Sequence, residues 1–304
     1  MEIIPCNLCQ GQDLKFLYKI NNLRVVKCLS CGLIFVNPRL KEERFLEMYE
    51  NNYFQRNVYA PDQSDFYGYV DYLADSKNII RTFEHVFGQI KVYKQQGRLF
   101  DVGCAFGFFL DLARKDGWQA CGLEPSSQAC AYAREKLDLA VDQGTLAEAT
   151  LPAKTFDLVT MFDVIEHLCD PLAGLVKVNR SLKDDGLLVV STPNADSLLA
   201  KILGKKLEDA RRTNEHLYMF SRKTIAAMLK KCGFAVLKIR PYGKFFSLGD
   251  LLERSTLYHQ GLFKGLKFVL EKIKMDNLTV YVNPRVKMTV FAKKVKEVTQ
   301  KSSR

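Results

Sequence analysis

The sequence predicts an α/β protein, in which helices cover both faces of a mainly parallel sheet, behind a small cysteine-rich module. From about residue 98 onward, short apolar strands alternate with helical segments of roughly ten residues or more, which is typical of βαβ units. Two CxxC pairs precede this region. The chain has 304 residues, of which 47% are hydrophobic, and this is enough for one large α/β domain and one small module.

The composition also narrows the class of protein. No apolar run approaches the roughly 18 residues that a membrane-spanning helix requires, and the start MEIIPCNLC lacks the basic and apolar regions of a signal peptide. The nine cysteines are an odd number, which favours reduced thiols over a disulfide framework and predicts a cytoplasmic protein. The net charge of +11 is consistent with binding to RNA, an anionic membrane or an acidic substrate, but an ordinary solvated surface is the simpler interpretation.

The four N-terminal cysteines have the spacing of a zinc site. Cys6 and Cys9 form one CxxC pair, and Cys28 and Cys31 form the other. Two such pairs match a tetrahedral zinc ion with four thiolate ligands, which leaves no open position for catalysis. Because so small a module cannot build a sufficient core, we expect a structural zinc ion to supply much of its folding free energy. We place this zinc ribbon at residues 1–40.

Two further regions follow the predicted zinc ribbon. Residues 41–95 are predicted to form a helical connector or cap, and residues 96–304 to form the α/β domain. A helix-rich insertion at about 245–276 precedes the last predicted strand, VKMTVFAKK. Within it, residues 262–274 form a basic amphipathic helix, a pattern consistent with packing on this domain or on a dimer partner, and also with a peripheral membrane contact.

A ligand-binding turn is predicted between the first strand and the first helix of the α/β domain. Gly103 and Gly107, in LFDVGCAFG, lie where the backbone can approach a ligand and a helix N-terminus offers free N–H groups. Ala105 and Phe108 stand where a nicotinamide-binding GxGxxG loop has glycine, so the turn favours a smaller anionic group such as an amino-acid carboxylate. Glu124, at the end of the next strand, is placed to accept hydrogen bonds from both hydroxyls of a ribose.

With these motifs the chain resembles the class I S-adenosylmethionine (SAM)-dependent methyltransferases. The matching segments, over roughly residues 96 to 240, are DVGCAFG (101–107), GLEPS (122–126), LPAKTFDLVTMFDVIEHLCDP (151–171), LKDDGLLVVSTPN (182–194) and HLYMFSRKTIAAMLKKCGF (216–234). The resemblance implies SAM as cofactor and a Rossmann-like, seven-stranded sheet whose last strand is antiparallel. A zinc ribbon followed by this core looks like bacterial methyltransferases of small-molecule, sugar or cell-surface polysaccharide pathways.

The resemblance also implies which residues hold the cofactor. They are Asp101, Gly103, Cys104, Ala105 and Gly107 for the methionine end, Glu124 and Pro125 for the ribose, Thr145 and Leu146 for the adenine, and Phe162 and Asp163 beneath the cofactor. The carboxylate that usually lies beside the adenine is not evident, because Thr145 stands near its place.

Three residues are candidates for catalysis: Glu166, His167 and His216. Asp163, Glu166 and His167 are spaced i, i+3 and i+4, so a helix that began here would place them on one face. Three interpretations stay open: His167 as general base, a divalent metal held by all three as in the ExxEH pattern of some quinone-biosynthesis O-methyltransferases, or a structural Glu166–His167 pair beside the cofactor. His216 precedes a helix with Ser221 as predicted N-cap, and the resemblance places it near the substrate opening.

The sequence therefore predicts a SAM-dependent methyltransferase that acts on a small molecule, sugar or glycan precursor, with a hydroxyl as the expected acceptor. One alternative is an RNA methyltransferase that binds RNA through the zinc ribbon, in keeping with the positive charge, although MFDVIEH differs from the NPPY-type motif of base-amino methylases. A second alternative is a non-catalytic, SAM-binding interaction protein. The glycine turn disfavours a nicotinamide-dependent oxidoreductase.

Overall fold

The part of the chain that the structure, a computed structural model, describes comprises residues 1–20, 22–41, 47, 53–55, 71–256 and 259–298. Much of the connector predicted at 41–95 lies outside these ranges. Its later part forms a helix, as the apolar pattern predicts.

A seven-stranded sheet forms the centre of the α/β domain. Numbered along the chain, its strands are β4 (Arg98–Val102), β5 (Gln119–Glu124), β6 (Ala140–Gln143), β7 (Phe156–Phe162), β8 (Leu182–Pro193), β10 (Phe234–Pro241) and β13 (Lys287–Lys294). They lie in the order β10-β13-β8-β7-β4-β5-β6. Within this sheet, β13 alone runs antiparallel to its neighbours. The prediction of a Rossmann-like, seven-stranded sheet with an antiparallel last strand is thereby confirmed.

The central strands are apolar on both faces because helices cover both. Val159 and Val190 belong to one buried cluster, whereas their chain neighbours Leu158 and Val189 belong to a second cluster on the other face. All four side chains are fully buried. This explains why the strands read as continuous apolar runs instead of alternating patterns. With both faces covered, the carboxyl ends of the parallel strands are the edge at which a ligand site can form.

Among the described residues, five helices cover the sheet, and three of them begin with a side-chain N-cap. They are α1 (Ser76–Ile90), α2 (Phe108–Lys115), α3 (Ser127–Leu137), α4 (Pro171–Ser181) and α7 (Arg222–Lys231). Ser126 caps α3 by accepting a hydrogen bond from the backbone of Ala129, and Asp170 caps α4 in the same way. Ser221 and Thr224 form a capping box at α7, which confirms the predicted N-cap.

The N-terminal module is a small antiparallel sheet that continues into the α/β domain. Its strands are β1 (Leu14–Ile20), β2 (Leu23–Cys28) and β3 (Ile34–Val36), and β3 pairs with β9 (Tyr218–Met219) of the α/β domain. The buried rings of Phe35 and Tyr218 stack with their centroids 6.3 Å apart. The buried Arg39 donates to the carbonyl of Cys169 at 2.6 Å and to the Tyr218 hydroxyl at 3.1 Å. The module and the domain therefore share one hydrophobic core.

The predicted helix-rich insertion contains a β-hairpin as well as helices. It consists of β11 (Lys244–Ser247), α8 (Leu248–Ser255), α9 (Gln260–Lys272) and β12 (Thr279–Val282), and β11 pairs with β12. Two hydrogen bonds fasten the hairpin to α1: Phe245 N donates to Thr82 Oγ1 at 2.9 Å, and Thr279 Oγ1 donates to Asn78 at 3.0 Å. A second connecting segment, which contains α5 (Leu198–Leu203) and α6 (Glu208–Arg211), links β8 to β9.

The amphipathic segment predicted at 262–274 corresponds largely to α9, and its apolar stripe is exposed. The side chains of Leu262, Val269 and Ile273 are each 54% exposed. No helix within the described ranges has the length and apolarity needed to cross a membrane. Contact of this stripe with a membrane surface or a protein partner stays a prediction.

Candidate active site and candidate zinc site

A cavity of about 640 Å³ lies at the carboxyl ends of β4, β5 and β7. This volume is within the range of pockets that bind small molecules and cofactors. Most of the residues predicted to hold the cofactor line it, namely Asp101, Gly103, Cys104, Ala105, Glu124, Pro125, Thr145, Leu146, Phe162 and Asp163. Gly107 shapes the turn beside the cavity and is not part of the lining.

The turn after β4 requires glycine at two positions. Gly103 has a φ of +69°, and a Cβ there would lie 2.5 Å from a methyl carbon of Val164. Gly107, the N-cap of α2, has a φ of +80°, and a Cβ there would lie 2.6 Å from Leu139. Ala105 also adopts a positive φ, of 49°. The backbone of this turn is thus held in a conformation that most side chains disfavour, directly against the cavity.

Two buried carboxyl groups face the cavity from adjacent strands. Glu124 is 3% exposed, and its carboxylate accepts hydrogen bonds from the backbone N–H groups of Ala105 at 2.9 Å and Ser126 at 3.0 Å. Asp101 is 2% exposed and accepts a hydrogen bond of 2.6 Å from the Thr160 hydroxyl. Burial, reinforced by the negative charge of Glu124, raises the pKa of Asp101 to about 8. Such a pair suits a ligand that brings hydroxyl donors and positive charge.

The far end of the cavity contains a carboxylate that sequence reasoning missed. Thr145 donates from its hydroxyl to Glu148 at 2.8 Å, and both residues line the cavity together with the buried Leu146. Glu148 therefore places a carboxylate next to Thr145, which stands near the position of the acid expected beside the adenine. The sequence DQGTLAE does contain this acid, because Glu148 follows Thr145 by three residues.

Asp163, at the end of β7, is held by two lysines that sequence reasoning did not single out. Its Oδ2 accepts from Lys244 Nζ at 2.9 Å and from Lys287 Nζ at 2.8 Å, while Oδ1 accepts from the Ser191 hydroxyl. Burial opposes ionisation here, but the two ammonium groups hold the pKa of Asp163 well below its ordinary value. Asp163 also has a positive φ of 56°, a conformation that Asp tolerates better than most residues.

The three predicted catalytic residues lie together. Ligand atoms of Glu166, His167 and His216 are within 4.8 Å of one another, and the two imidazole rings are edge-to-face with centroids 4.9 Å apart. The segment between β7 and α4 forms turns instead of the helix considered in the sequence analysis. Asp163 is not part of the three-residue group. Of the three, His167 lines the cavity.

Burial controls the protonation of this group. Burial, and then the charge of Asp163, raises the pKa of Glu166 to about 8, and neither of its carboxylate oxygens has a hydrogen-bond partner among the described residues. Burial and the neighbouring His216 lower the pKa of His167 to about 3. The pKa of His216 is also well below its usual value because the ring is buried, and its Nδ1 lies 3.0 Å from the Asp209 carbonyl. Both imidazoles are therefore neutral near pH 7.

The four N-terminal cysteines form a compact thiol cluster. The Sγ atoms of Cys6 and Cys31 are 3.5 Å apart, as are those of Cys9 and Cys28, and all four lie within 4.8 Å of one another. Thiolates at about 2.3 Å from a tetrahedral zinc ion are about 3.8 Å from each other, so the donor set and spacing fit zinc. Although burial opposes it, hydrogen bonds from the Cys31 backbone and the Cys9 thiol lower the pKa of Cys28 to about 7.

A second cavity, of about 390 Å³, adjoins the first. The two cavities share four lining residues, Tyr72, Phe83, Phe162 and Asp163. The second is otherwise lined by α1, by the insertion, by the segment from α5 to Arg212 and by the start of β13. Sequence reasoning did not anticipate it, because its walls come from segments that are far apart in the chain.

Comparison with known proteins agrees with this architecture. A family model described as a methyltransferase domain matches residues 75–239. The chain belongs to this family. Among solved structures, a SAM-dependent methyltransferase from Archaeoglobus fulgidus is 20% identical with a TM-score of 0.50, covering 73% of this chain and 99% of that one. A putative methyltransferase from Bacillus halodurans is 16% identical, also with a TM-score of 0.50, covering 70% of this chain and 98% of that one. At these identities the likeness shows the fold alone, and that fold is the class I methyltransferase fold.

Curated relatives match a shorter stretch. A ubiquinone biosynthesis O-methyltransferase from Rhodopseudomonas palustris strain BisA53 is 38% identical over 101 residues, which are 32% of this chain and 40% of that protein. A probable SAM-dependent methyltransferase from Mycobacterium tuberculosis strain H37Rv is 36% identical over 97 residues, or 32% of this chain and 35% of that protein. The chain thus spans less than half the length of these curated relatives.

Proposed function

We propose that the protein transfers the methyl group of SAM to a hydroxyl of a small acceptor, such as a small molecule, a sugar or a glycan precursor. The observation that carries this proposal is the pair of buried carboxyl groups, Asp101 and Glu124, facing one cavity beside the glycine turn. The similarity to small-molecule methyltransferases, one of which is named for O-methylation in ubiquinone biosynthesis, supports the acceptor class.

The proposed cofactor site follows from the positions around the first cavity. Asp101, Gly103, Cys104 and Ala105 hold the methionine end, with Gly107 shaping the turn. The ribose lies against Glu124 and Pro125, and the adenine lies against Thr145, Leu146 and the additional carboxylate of Glu148. Phe162 and Asp163 form the floor under the cofactor. When bound, SAM supplies a methyl group on a sulfonium, an electrophile that a nucleophile must approach in line.

His167 is the proposed base, because it is the only one of the three clustered residues Glu166, His167 and His216 that lines the first cavity. Its neutral ring can accept the proton of an acceptor hydroxyl as the oxygen gains the methyl group. A weak base suffices, since a hydroxyl oxygen becomes strongly acidic while its new bond to carbon forms. Glu215 Oε2, 4.0 Å from His167 Nδ1, would stabilise the imidazolium that results. Glu166 and His216 act as positioning residues.

We also propose that Cys6, Cys9, Cys28 and Cys31 hold one structural zinc ion. Their thiol groups satisfy the spacing of a tetrahedral site, and the module around them has little apolar core of its own beyond the one it shares with the α/β domain. A closed set of four thiolates gives the ion a structural role and no part in methyl transfer.

A labelling experiment tests the proposed activity. Purified protein and methyl-labelled SAM are incubated with cell extract, with and without ribonuclease, and the products are fractionated. We expect label in small polar or solvent-extractable material that ribonuclease does not remove, and much less label with Glu124→Ala at a SAM concentration that is limiting for the wild-type protein. Label that ribonuclease destroys would contradict the small-molecule acceptor and favour RNA methylation. SAM binding without transfer to any fraction would favour a non-catalytic role.

A further inference from the structure

The walls of the second cavity, called the chamber below, are held together by hydrogen bonds and an ion pair between its elements. Its insertion wall is fastened to α1 by the hydrogen bonds of Phe245 and Thr279 described above. Its helix α8 is fastened to α6 by an ion pair of 3.3 Å between Arg254 and Glu208. The chamber meets the first cavity across the four residues that line both, one of which is Asp163. A molecule bound there therefore adjoins the proposed cofactor site.

Two lysines of this chamber converge on one carboxylate, that of Asp163. Lys244 and Lys287 both donate to Oδ2 of Asp163, so two positive charges share one negative charge at the junction of the cavities. Among the described residues, the Asp163 carboxylate is the one within ion-pair distance of Lys244. Lys244 is partly buried, with 28% of its side chain exposed, and its pairing is incomplete because its partner is shared.

Most of the other charged groups that line the chamber lie in ion pairs, and Arg212 is also paired with Glu215, which is outside the lining. Glu208 contacts Arg254 at 3.3 Å and Arg212 at 3.9 Å, and Asp209 lies 3.8 Å from Lys287. Asp75 accepts a hydrogen bond of 2.7 Å from Asn78. The four acidic and four basic lining residues balance in number. Lys287 has Asp209 as a second counter-charge, whereas Lys244 has, among the described residues, the shared Asp163 alone within ion-pair distance. Burial lowers the pKa of Lys244, as expected for an ammonium group that lacks a full counter-charge.

The rest of the chamber is apolar and rich in aromatic rings. Its lining includes Tyr72, Phe83, Phe162, Tyr242, Phe245 and Phe246. Aromatic walls of this kind bind flat apolar bodies, and a small number of polar groups fixes their orientation. The aromatic walls favour a ligand with a flat ring, and the incompletely paired ammonium group of Lys244, beside the Asp163 carboxylate that lines both cavities, favours an anionic group on that ligand.

We infer that the second cavity is the acceptor site and that Lys244, with Lys287, binds an anionic oxygen group on a flat, ring-containing acceptor. The substrate class is thus a small hydroxylated aromatic acid. Its anionic group completes the pairing of Lys244, and its ring packs among the aromatic side chains. This inference rests on the proposed methyl transfer, because it gives the second cavity the role of presenting a nucleophile to the first.

The test compares matched ligands in a binding assay that needs no turnover. The probes are 3,4-dihydroxybenzoate and its neutral amide, 3,4-dihydroxybenzamide, titrated by calorimetry into protein saturated with S-adenosylhomocysteine. We expect the acid to bind at least tenfold more tightly than the amide, which is about 1.4 kcal/mol. In Lys244→Met and in Lys287→Met this preference should fall below about threefold. Lys223→Met, which removes an exposed lysine on α7, should keep it.

Several results would overturn the inference. They are equal affinity of the wild-type protein for acid and amide, absence of saturable binding of the acid up to millimolar concentration, and a preference that survives in Lys244→Met. The wild-type comparison decides the matter even where a variant fails to fold. S-adenosylhomocysteine binding is measured separately, so failure of the cofactor site is distinguished from failure of the acceptor site.

Discussion

The backbone N–H of Ala105 donates a hydrogen bond of 2.9 Å to Oε2 of Glu124, which ties the glycine turn after β4 to the end of β5. One carboxylate thereby fixes the turn and faces the cavity. The geometry of the turn and the proposed ribose contact consequently depend on each other. Changes at either strand end should affect both stability and cofactor binding.

Gly103→Ala should damage the turn. A Cβ at this position would lie 2.5 Å from Val164, and the backbone has a φ of +69°, so we expect a loss of about 1–3 kcal/mol in the free energy of unfolding. SAM affinity should fall at least tenfold. Thermal unfolding and calorimetry measure the two effects. Gly88→Ala is the matched control, because it lies in α1 with no atom within 4 Å of the new Cβ, and it should be neutral or stabilising.

Cys28→Ser should release the proposed zinc ion. The wild-type protein should contain one zinc per chain by elemental analysis, and the variant close to none, because three thiolates and a hydroxyl bind zinc far more weakly. Loss of the ion should lower stability by at least about 2 kcal/mol, which for a chain of this length lowers Tm by at least roughly 3 °C. Cys121→Ser, at a half-buried cysteine outside the cluster, should keep the metal. Equal zinc content in Cys28→Ser would rule out this site.

His167→Gln tests the proposed base. It should lower kcat by about 100-fold or more while the dissociation constant for SAM changes less than about threefold, since the proton transfer is lost and the cofactor contacts remain. Initial rates with the acceptor fraction found by labelling give the comparison. His85→Gln, at an exposed histidine of α1, should be fully active. An unchanged kcat in His167→Gln would assign the ring a packing role.

Glu166 should make the ligand-free protein less stable as the pH rises from about 4.5 to about 8. Its pKa is about 8 in the folded protein, whereas an unfolded chain releases this proton near pH 4.5. Between these values the folded state holds a proton that the unfolded state has lost, so this contribution is full below about pH 4.5 and is lost as the pH rises towards 8. The slope is at most about 1.4 kcal/mol per pH unit for one proton.

Glu166→Gln removes that proton exchange and keeps the size of the side chain. Urea unfolding from pH 6.5 to 8.5 should show that the free energy of unfolding of the wild-type protein declines as the pH rises. In the variant the slope of this decline should be smaller by up to about 1.4 kcal/mol per pH unit, the value for one proton. The buried histidines do not interfere in this range, because the pKa of His167, lowered to about 3, makes stability depend on pH only below about 6.5. Parallel curves for the two proteins would mean that Glu166 is ionised in the folded state.

The parts of the fold that follow from local patterns were predictable, and the contacts between distant segments were not. The glycine turn, the alternation of strands and helices and the cysteine spacing each depend on residues close together in sequence. Lys244 and Lys287 instead meet Asp163 across 81 and 124 positions. The short hairpin strands β11 and β12 have four residues each, too few to show an alternating pattern, so the sequence predicted a helix-rich insertion at about 245–276 without a hairpin.

The grouping of Glu166, His167 and His216 likewise could not be predicted from local sequence patterns. Asp163, Glu166 and His167 would share a face only in a helix, but this segment forms turns, and α4 begins at Pro171. His216 joins Glu166 and His167 through the backbone pairing of its neighbour Leu217 with the carbonyl of Glu166 at 2.8 Å. Such a contact between segments about fifty positions apart is not visible in either local motif.

Calorimetric titration of SAM into the wild-type protein and into Glu124→Ala tests the central claim most directly. We predict saturable binding of one SAM per wild-type chain and at least tenfold weaker binding in the variant, about 1.4 kcal/mol, because charge-assisted hydrogen bonds to the ribose are lost. Glu135→Ala, at an exposed glutamate of α3, should bind as the wild type does. Absence of wild-type binding, or equal affinity in Glu124→Ala, would contradict the assignment of the first cavity as the cofactor site.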